Sequence, residues 1–166
     1  MTAFDAAAAA RAILAAAGTA SLATLLEDGA PFASLVTVAA HDDEAGEGGG
    51  VLMLLSRLAV HTRNLERDPR ASLLLVAPPR PGDDDRDGQE EDALAGARLT
   101  LTGTVAVTGD PQARALFLAR HPEADAYAGF SDFAVHRLAV TAGHLVAGFG
   151  RIVTLGAADL FAAPRR

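Results

Sequence analysis

Residues 51–76 read VLMLLSRLAVHTRNLERDPRASLLLV, a polar, arginine-rich segment between two apolar runs. The runs at 51–55 and 71–76 have the length and composition of buried strands. Between them, Ser56 is a candidate N-cap for a short helix, which Asp68 and Pro69 would end. We therefore predict a strand, a short helix and a second strand, with both faces of the first strand covered.

The same segment gathers cations in an acidic chain. The 166 residues carry a net charge of −7, yet residues 56–70 hold four arginines against two acidic residues. The N-terminus of a helix presents free N–H groups and partial positive charge, which suit a phosphate or carboxylate. The segment is thus either a solvated helix surface or a binding site for an anion, and its spacing leaves both interpretations open.

Composition excludes several classes of site. The chain has no cysteine and no lysine, which excludes disulfides, thiolate metal sites and Schiff-base lysines. It has no apolar run of eighteen residues, and Asp5 precedes the first arginine, so we expect neither a membrane span nor a signal peptide. Negative charge and few aromatic residues argue against nucleic-acid binding. We expect one cytoplasmic domain over residues 1–166.

The acidic residues concentrate in two segments. Eleven of the twenty-one lie in residues 41–50 and 83–92. Such polar, glycine-rich and proline-rich composition is typical of solvated loops, so we expect mobile loops at 41–50 and 78–96. The net charge therefore describes these loops and not the ligand-binding surface.

The N-terminal third predicts a helix and a hairpin. Alanine-rich residues 4–17 form the helix, with Gly18 as its C-cap. Strands at 19–26 and 31–40 flank Asp28 and Gly29, a pair that favours a tight turn.

The C-terminal half also predicts strands and a helix. Residues 98–107 alternate as a strand, with Gly103 a candidate bulge. Asp110 and Pro111 open a helix that continues to Arg120, and strands follow at 133–140, 143–150 and 151–155. About seven mostly antiparallel strands with short helices predict a mainly β (α+β) fold, a small closed barrel with helices outside.

No strong catalytic motif is present, and the catalytic residues stay unassigned. The chain lacks the signatures of serine hydrolases, zinc proteases, dinucleotide-binding folds and P-loops. Its histidines lack the short spacing of metal ligands, so no metal is expected. His136 alternates with apolar strand residues and is interpreted as a satisfied strand histidine. His61 differs because Ser56 and Thr62 lie near it in the sequence.

The order of several short motifs carries a resemblance. ASLV, LSRLAVHTRN, DPRAS and GFGR follow one another, and the likeness extends over about residues 12–155. In this order the chain resembles the pyridoxamine 5′-phosphate oxidase-like FMN-binding split-barrel family, and within it the haem-utilisation branch. The resemblance implies a split β-barrel of six to seven strands. It also implies a homodimer whose FMN sites are built from both subunits, acting on a small-molecule substrate.

The resemblance also assigns residues to the cofactor. Ser34 stands where the oxidases place a phosphate-binding arginine, His61 where they place a lysine, and Arg98 where they place a flavin-contacting glutamine. The predicted cofactor-binding residues are Ser34, Leu35, Val36, Thr37, Ser56, Leu58, His61, Thr62, Asn64, Arg98 and Phe149.

Because the residues at these three positions differ from those of the oxidases, alternative functions stay open. The prediction is an FMN-dependent oxidoreductase of unknown substrate, with a deazaflavin as another possible cofactor. The first alternative is a haem-binding or haem-degrading protein, because such substitutions are usual in the haem-utilisation branch. That branch places its haem ligand near the C-terminus, where this chain has no histidine after Gly150, so His144 or His136 would have to substitute. The second alternative is a binding module without cofactor.

Overall fold

A single curled sheet organises the chain in the computed structural model, which describes residues 4–42, 49–77, 96–148 and 150–161. Its strands are β1 (Thr19–Leu25), β2 (Pro31–Thr37), β3 (Ala39–His41), β4 (Gly50–Ser56), β5 (Arg70–Val76), β6 (Ala97–Val107), β7 (Phe133–Ala147) and β8 (Ile152–Gly156). Its helices are α1 (Ala6–Ala16), α2 (Val60–Arg67), α3 (Pro111–Arg120), α4 (Asp125–Ala128) and α5 (Ala157–Leu160), with a 3₁₀ turn at Pro122–Ala124. No helix among these residues is long and apolar enough to cross a membrane.

The strands pair antiparallel throughout, in the order β2-β1-β5-β6-β7-β4-β3, and β8 joins β7. Because β2 and β3 end this path among the described residues, the sheet is a curled half-barrel and not the closed barrel that the strand count predicted. The mainly antiparallel split barrel with short helices is confirmed.

Both sides of the sheet bury apolar side chains, though unequally. The larger core fills the concave side and includes Leu22, Met53, Leu73 and Leu99, each fully buried. A smaller core around Phe117 lies where the helices after β6 pack against the other side of β4 and β7. The strand β4 is buried along its whole apolar run, as predicted, because it lies between these two cores.

Three local sequence signals produced the expected structure. Gly29 adopts a positive φ of 83° in the turn between β1 and β2. The Asp110 carboxylate accepts from the first N–H groups of α3 as an N-cap. Gly103 lies at a register shift between β6 and β7, where a Cβ atom would collide with the carbonyl of Ala139. Glycine is therefore required there by the close approach of two backbones.

Several boundaries differ from the prediction. Ala17, not Gly18, caps α1, and its extended backbone leads directly into β1. The strand predicted at 31–40 is divided at Val38, whose carbonyl accepts from His121 Nε2 at 2.8 Å. The strands predicted at 133–140 and 143–150 are one continuous strand, β7, in which Thr141 is the extra residue at the register shift beside Gly103.

Two predictions concern residues outside the described part of the chain. The loops expected to be mobile at 41–50 and 78–96 fall largely on residues 43–48 and 78–95, and Phe149 also lies outside it. No structural account is given to these positions.

Candidate functional site

The predicted site begins with a pair of side chains that meet across 27 positions of sequence. Ser34 Oγ on β2 lies 3.1 Å from His61 Nδ1 in the first turn of α2. In the tautomer in which Nδ1–H donates to the serine hydroxyl, the lone pair of Nε2 is available to a ligand. No hydrogen bond to Nε2 is formed within the described part of the chain.

The electrostatics of this pair keep the imidazole neutral. Burial lowers the pKa of His61 below its usual value of 6.5, and the neighbouring His136 ring lowers it further. Burial likewise lowers the pKa of His136, against weaker opposing effects from its bond to the Ala134 carbonyl and from Glu66. A neutral imidazole is a metal ligand and a hydrogen-bonding group, whereas it adds no cation for a phosphate.

The helix that carries His61 begins without a side-chain cap. Ala59 is the N-cap residue, and its methyl group accepts no hydrogen bond. The first N–H groups of α2 are therefore directed towards any anion at this end. In the same turn, the Thr62 hydroxyl is buried and has no partner among the described residues. The predicted helix with free N–H groups at its start is thus present, but Ser56 is not its cap.

Ser56 instead belongs to the end of β4 and connects to a distant turn. Its hydroxyl donates to Asp132 Oδ2 at 2.6 Å and accepts from the Leu58 N–H at 3.1 Å. Leu58 itself is 74% exposed beside the start of α2. We call Ser34, Ser56, His61, Thr62 and Asp132 the α2 cluster.

Asn64 has a different role from the one predicted by position alone. It is buried, and its amide donates to Thr24 Oγ1 at 3.0 Å while its oxygen accepts from Arg67 at 2.8 Å. Both polar ends are therefore occupied by neighbours, so Asn64 fastens α2 to β1.

Leu35, Thr37 and Arg98 lie on the opposite side of the sheet. Residues paired directly across antiparallel strands point to the same face. One row of paired residues crosses six strands: Leu35, Ser21, Leu74, Thr100, His144 and Thr154. A second row comprises Val76, Arg98, Val146 and Ile152. We call these two rows the outer face.

The outer face exposes large apolar side chains. Leu35, Val76 and Ile152 are 75%, 56% and 64% exposed, and Leu74 is 39% exposed. The polar members of the two rows are Ser21, Thr100, Thr154, His144 and Arg98.

The structure divides the predicted residues into three groups. It brings Ser34, Ser56, Leu58, His61 and Thr62 together around the start of α2. It puts Val36 in the core. Arg98 lies on β6, three strands from Leu35, or about 14 Å at ordinary strand spacing. Within one chain, the outer-face residues and the α2 cluster therefore do not form one site.

Two residues of this region were missed by the sequence reasoning. Asp132 joins the α2 cluster from a position 76 residues after Ser56. His136, interpreted as a satisfied strand histidine, does bond to the Ala134 carbonyl at 3.0 Å but also acts on His61. The signal for Asp132 was its position directly before an alternating strand, where a polar side chain often fixes a turn.

This fold and helix start can be compared with known proteins. The profile of the CREG β-barrel family matches residues 1–161. The chain belongs to this family. The recognition of an FMN-binding split-barrel type of protein from its motifs is thereby confirmed at the level of fold and superfamily.

Two relatives that share about a third of their residues with this chain have names that refer to heme. The chain is 35% identical over 114 residues to the non-canonical heme oxygenase HOZ, chloroplastic, of Arabidopsis thaliana, covering 67% of this chain and 30% of that protein. It is 34% identical to a heme binding protein from Mycobacterium smegmatis, with a TM-score of 0.80, covering 98% of this chain and 62% of that one. The chain thus spans less than two thirds of either relative.

A third comparison concerns the fold alone. A putative pyridoxamine 5′-phosphate oxidase from Listeria innocua has a TM-score of 0.61 at 16% identity, covering 87% of this chain and all of that one, 100%. The split barrel is therefore shared between proteins named for haem and proteins named for pyridoxamine phosphate oxidation.

Proposed function

We propose that this chain is a haem-binding split-barrel protein in which His61 ligates the iron. The observation that carries the proposal is the Ser34–His61 pair, because it presents a neutral imidazole whose Nε2 has no partner among the described residues. Metal-ligating histidines characteristically bond through their other ring nitrogen, which fixes the ring orientation. The names of the two relatives at 34% and 35% identity support the same cofactor.

The other groups around His61 fit the chemistry of haem. The free N–H groups at the start of α2 suit a carboxylate such as a propionate. The exposed Leu58 side chain offers an apolar contact for a porphyrin edge. His136 is too buried to reach a ligand of this size, and the exposed His144 has no partner within the described residues to orient it. Haem, when bound, supplies electron transfer and oxygen chemistry at its iron.

A homodimer is part of the proposal. The apolar outer face is the kind of surface that a partner protein covers, and a two-fold dimer buries the same patch of both copies. Such an interface would bring the Arg98 of one copy towards the α2 cluster of the other. The separation of Arg98 from Leu35 within one chain favours this arrangement. A cytoplasmic location and a small-molecule substrate remain predictions from sequence.

Haem titration tests the function directly. We expect the wild-type protein to give a saturable Soret shift with one haem per chain. Replacing His61 with alanine should weaken binding about tenfold or more and change the spectrum, because loss of an iron ligand costs at least 1.4 kcal/mol. H144A is the matched control and should bind as wild type does. A wild-type protein without a saturable Soret shift, or an H61A protein with an unchanged one, would contradict the proposal.

FMN is the second candidate, with an oxidoreductase activity. The observation that favours it is the uncapped start of α2, because helix N-termini bind phosphate. Quenching of FMN fluorescence on addition of protein measures this binding. If FMN binds with micromolar affinity while haem does not, the second candidate replaces the first. If neither haem nor FMN binds to the folded protein, the remaining interpretation is a binding module without cofactor.

A further inference from the structure

Two turns, distant in sequence, are joined beside the start of α2. The Arg57 N–H donates to the Asp132 carbonyl at 2.7 Å, and the Arg57 guanidinium donates to the Ser131 carbonyl at 3.3 Å. The Asp132 carboxylate adds the short bond from the Ser56 hydroxyl. Residues 56–59 are therefore held against the turn that precedes β7 by both backbone and side-chain bonds.

The carboxylate of Asp132 controls more than its own bond. By accepting the Ser56 hydrogen, it directs a hydroxyl lone pair towards the Leu58 N–H. That second bond sets the turn from which α2 begins. Because Ala59 provides no side-chain cap, this turn determines where the first N–H groups of α2 point.

We infer that Asp132 is a positioning residue, which holds the start of α2 in the conformation that binds an anionic cofactor. Its carboxylate does not have to touch the ligand; it acts through Ser56 and Leu58 on the turn that carries His61 and Thr62. The cofactor in this inference rests on the proposed function, whereas the effect on α2 does not. Charge-assisted hydrogen bonds are the strong ones, which suits a group that must fix a turn.

Hydrogen exchange of the cofactor-free, full-length protein tests the effect on α2. In D132A and S56A, the hydrogen-bonded amides of Leu58, Ala59 and Arg63 should exchange about tenfold faster, since the bond lost from a charged group is worth at least 1.4 kcal/mol. The amides of β6 should exchange as in wild type. D132N should restore slow exchange, because the asparagine oxygen still accepts from Ser56. D125A, which removes an exposed carboxylate from α4, is the matched control.

Haem affinity of the same variants tests the consequence for binding. At a temperature well below each unfolding midpoint, D132A should bind haem about tenfold more weakly, and D132N and D125A should bind as wild type does. A residue that only stabilised the fold would lower the midpoint and leave this affinity unchanged. If D132A does not fold, S56A reports on the same bond from the other side.

The outcomes separate this inference from the proposed function. Wild-type exchange at Leu58, Ala59 and Arg63 in D132A or S56A overturns the inference, whatever the protein binds. Fast exchange with unchanged haem affinity also overturns it, because the position of α2 would then be irrelevant to the ligand. Failure of the proposed function would give a different result in the binding titrations, namely a wild-type protein that binds neither haem nor FMN.

Discussion

The α2 cluster and the outer face lie on opposite sides of the same sheet and are built in opposite ways. In the α2 cluster, polar groups from β2, α2 and the turn before β7 bond to each other within one chain. On the outer face, Leu35, Leu74 and Ile152 face solvent with no side chain of the described residues covering them. One region forms hydrogen bonds within the chain, and the other exposes apolar side chains that the proposed partner would cover.

This difference explains why the two sets of predicted residues have different consequences. Ser34, His61, Ser56 and Asp132 of the α2 cluster bond in pairs, so a change in one leaves its partner unsatisfied. Apolar side chains on the outer face have only water around them, so a change there has little effect until a second molecule covers them. The predictions below use matched substitutions in the two regions.

The largest effect is expected from a charge on the outer face. L74D should convert the proposed dimer to a monomer, weakening the association a hundredfold or more, since central interface residues contribute about 2–4 kcal/mol. Sedimentation or light scattering at several protein concentrations measures the mass. L116D is the control, because Leu116 is similarly exposed, at 37%, but lies on α3. A wild-type protein that is already monomeric at high concentration would remove the basis of this comparison.

A smaller effect is expected when the same threonine-to-valine change is made in both regions. T24V should lower the free energy of unfolding by about 1–3 kcal/mol, because the buried Asn64 amide loses its acceptor. T100V changes a threonine of the outer face and should stay within about 0.5 kcal/mol of wild type. Urea denaturation of both variants provides the measurement. Equal losses in the two variants would show that the buried hydrogen bond is not what distinguishes them.

Local signals in the sequence were enough for most of the fold. The turn at Gly29, the cap at Asp110 and the bulge at Gly103 each depend on neighbouring residues, and each was predicted. The continuous strand β7 was predicted as two strands, because only its pairing with β6 shows that it continues across residues 141 and 142. Local pattern therefore predicts elements well and their joining less well.

The candidate site could be predicted only in part from the sequence. The anion-binding start of α2 followed from residue type and position, but its cap was assigned to Ser56, whose hydroxyl has a partner 76 residues away. The Ser34–His61 contact similarly spans two elements that are joined only when α2 packs against β2. Resemblance to a family pointed to both residues, whereas spacing alone gave no reason for their contact. Asp132 had only its position before an alternating strand as a signal, and its bond to Ser56 was found from the structure.

The smallest effect concerns the pH dependence of stability. The pKa values of His61 and His136 are lowered in the folded protein, chiefly by burial, so the unfolded chain binds protons more readily. Stability is therefore unaffected by these groups above the unfolded pKa of about 6.5, and falls as the pH decreases below it towards the lowered folded values.

Replacing His136 with glutamine should make this decline shallower for two reasons. The variant lacks one of the two buried groups that must be protonated, and it relieves His61 of a neighbour that lowers the pKa of His61. Urea denaturation between pH 5 and pH 8 measures the slope, about 5 to 8 being the range in which an imidazole titrates. The value at the upper end isolates any loss of packing, because both imidazoles are neutral there. A variant whose stability declines as steeply as that of wild type would show that the buried histidines of this region do not determine its acid sensitivity.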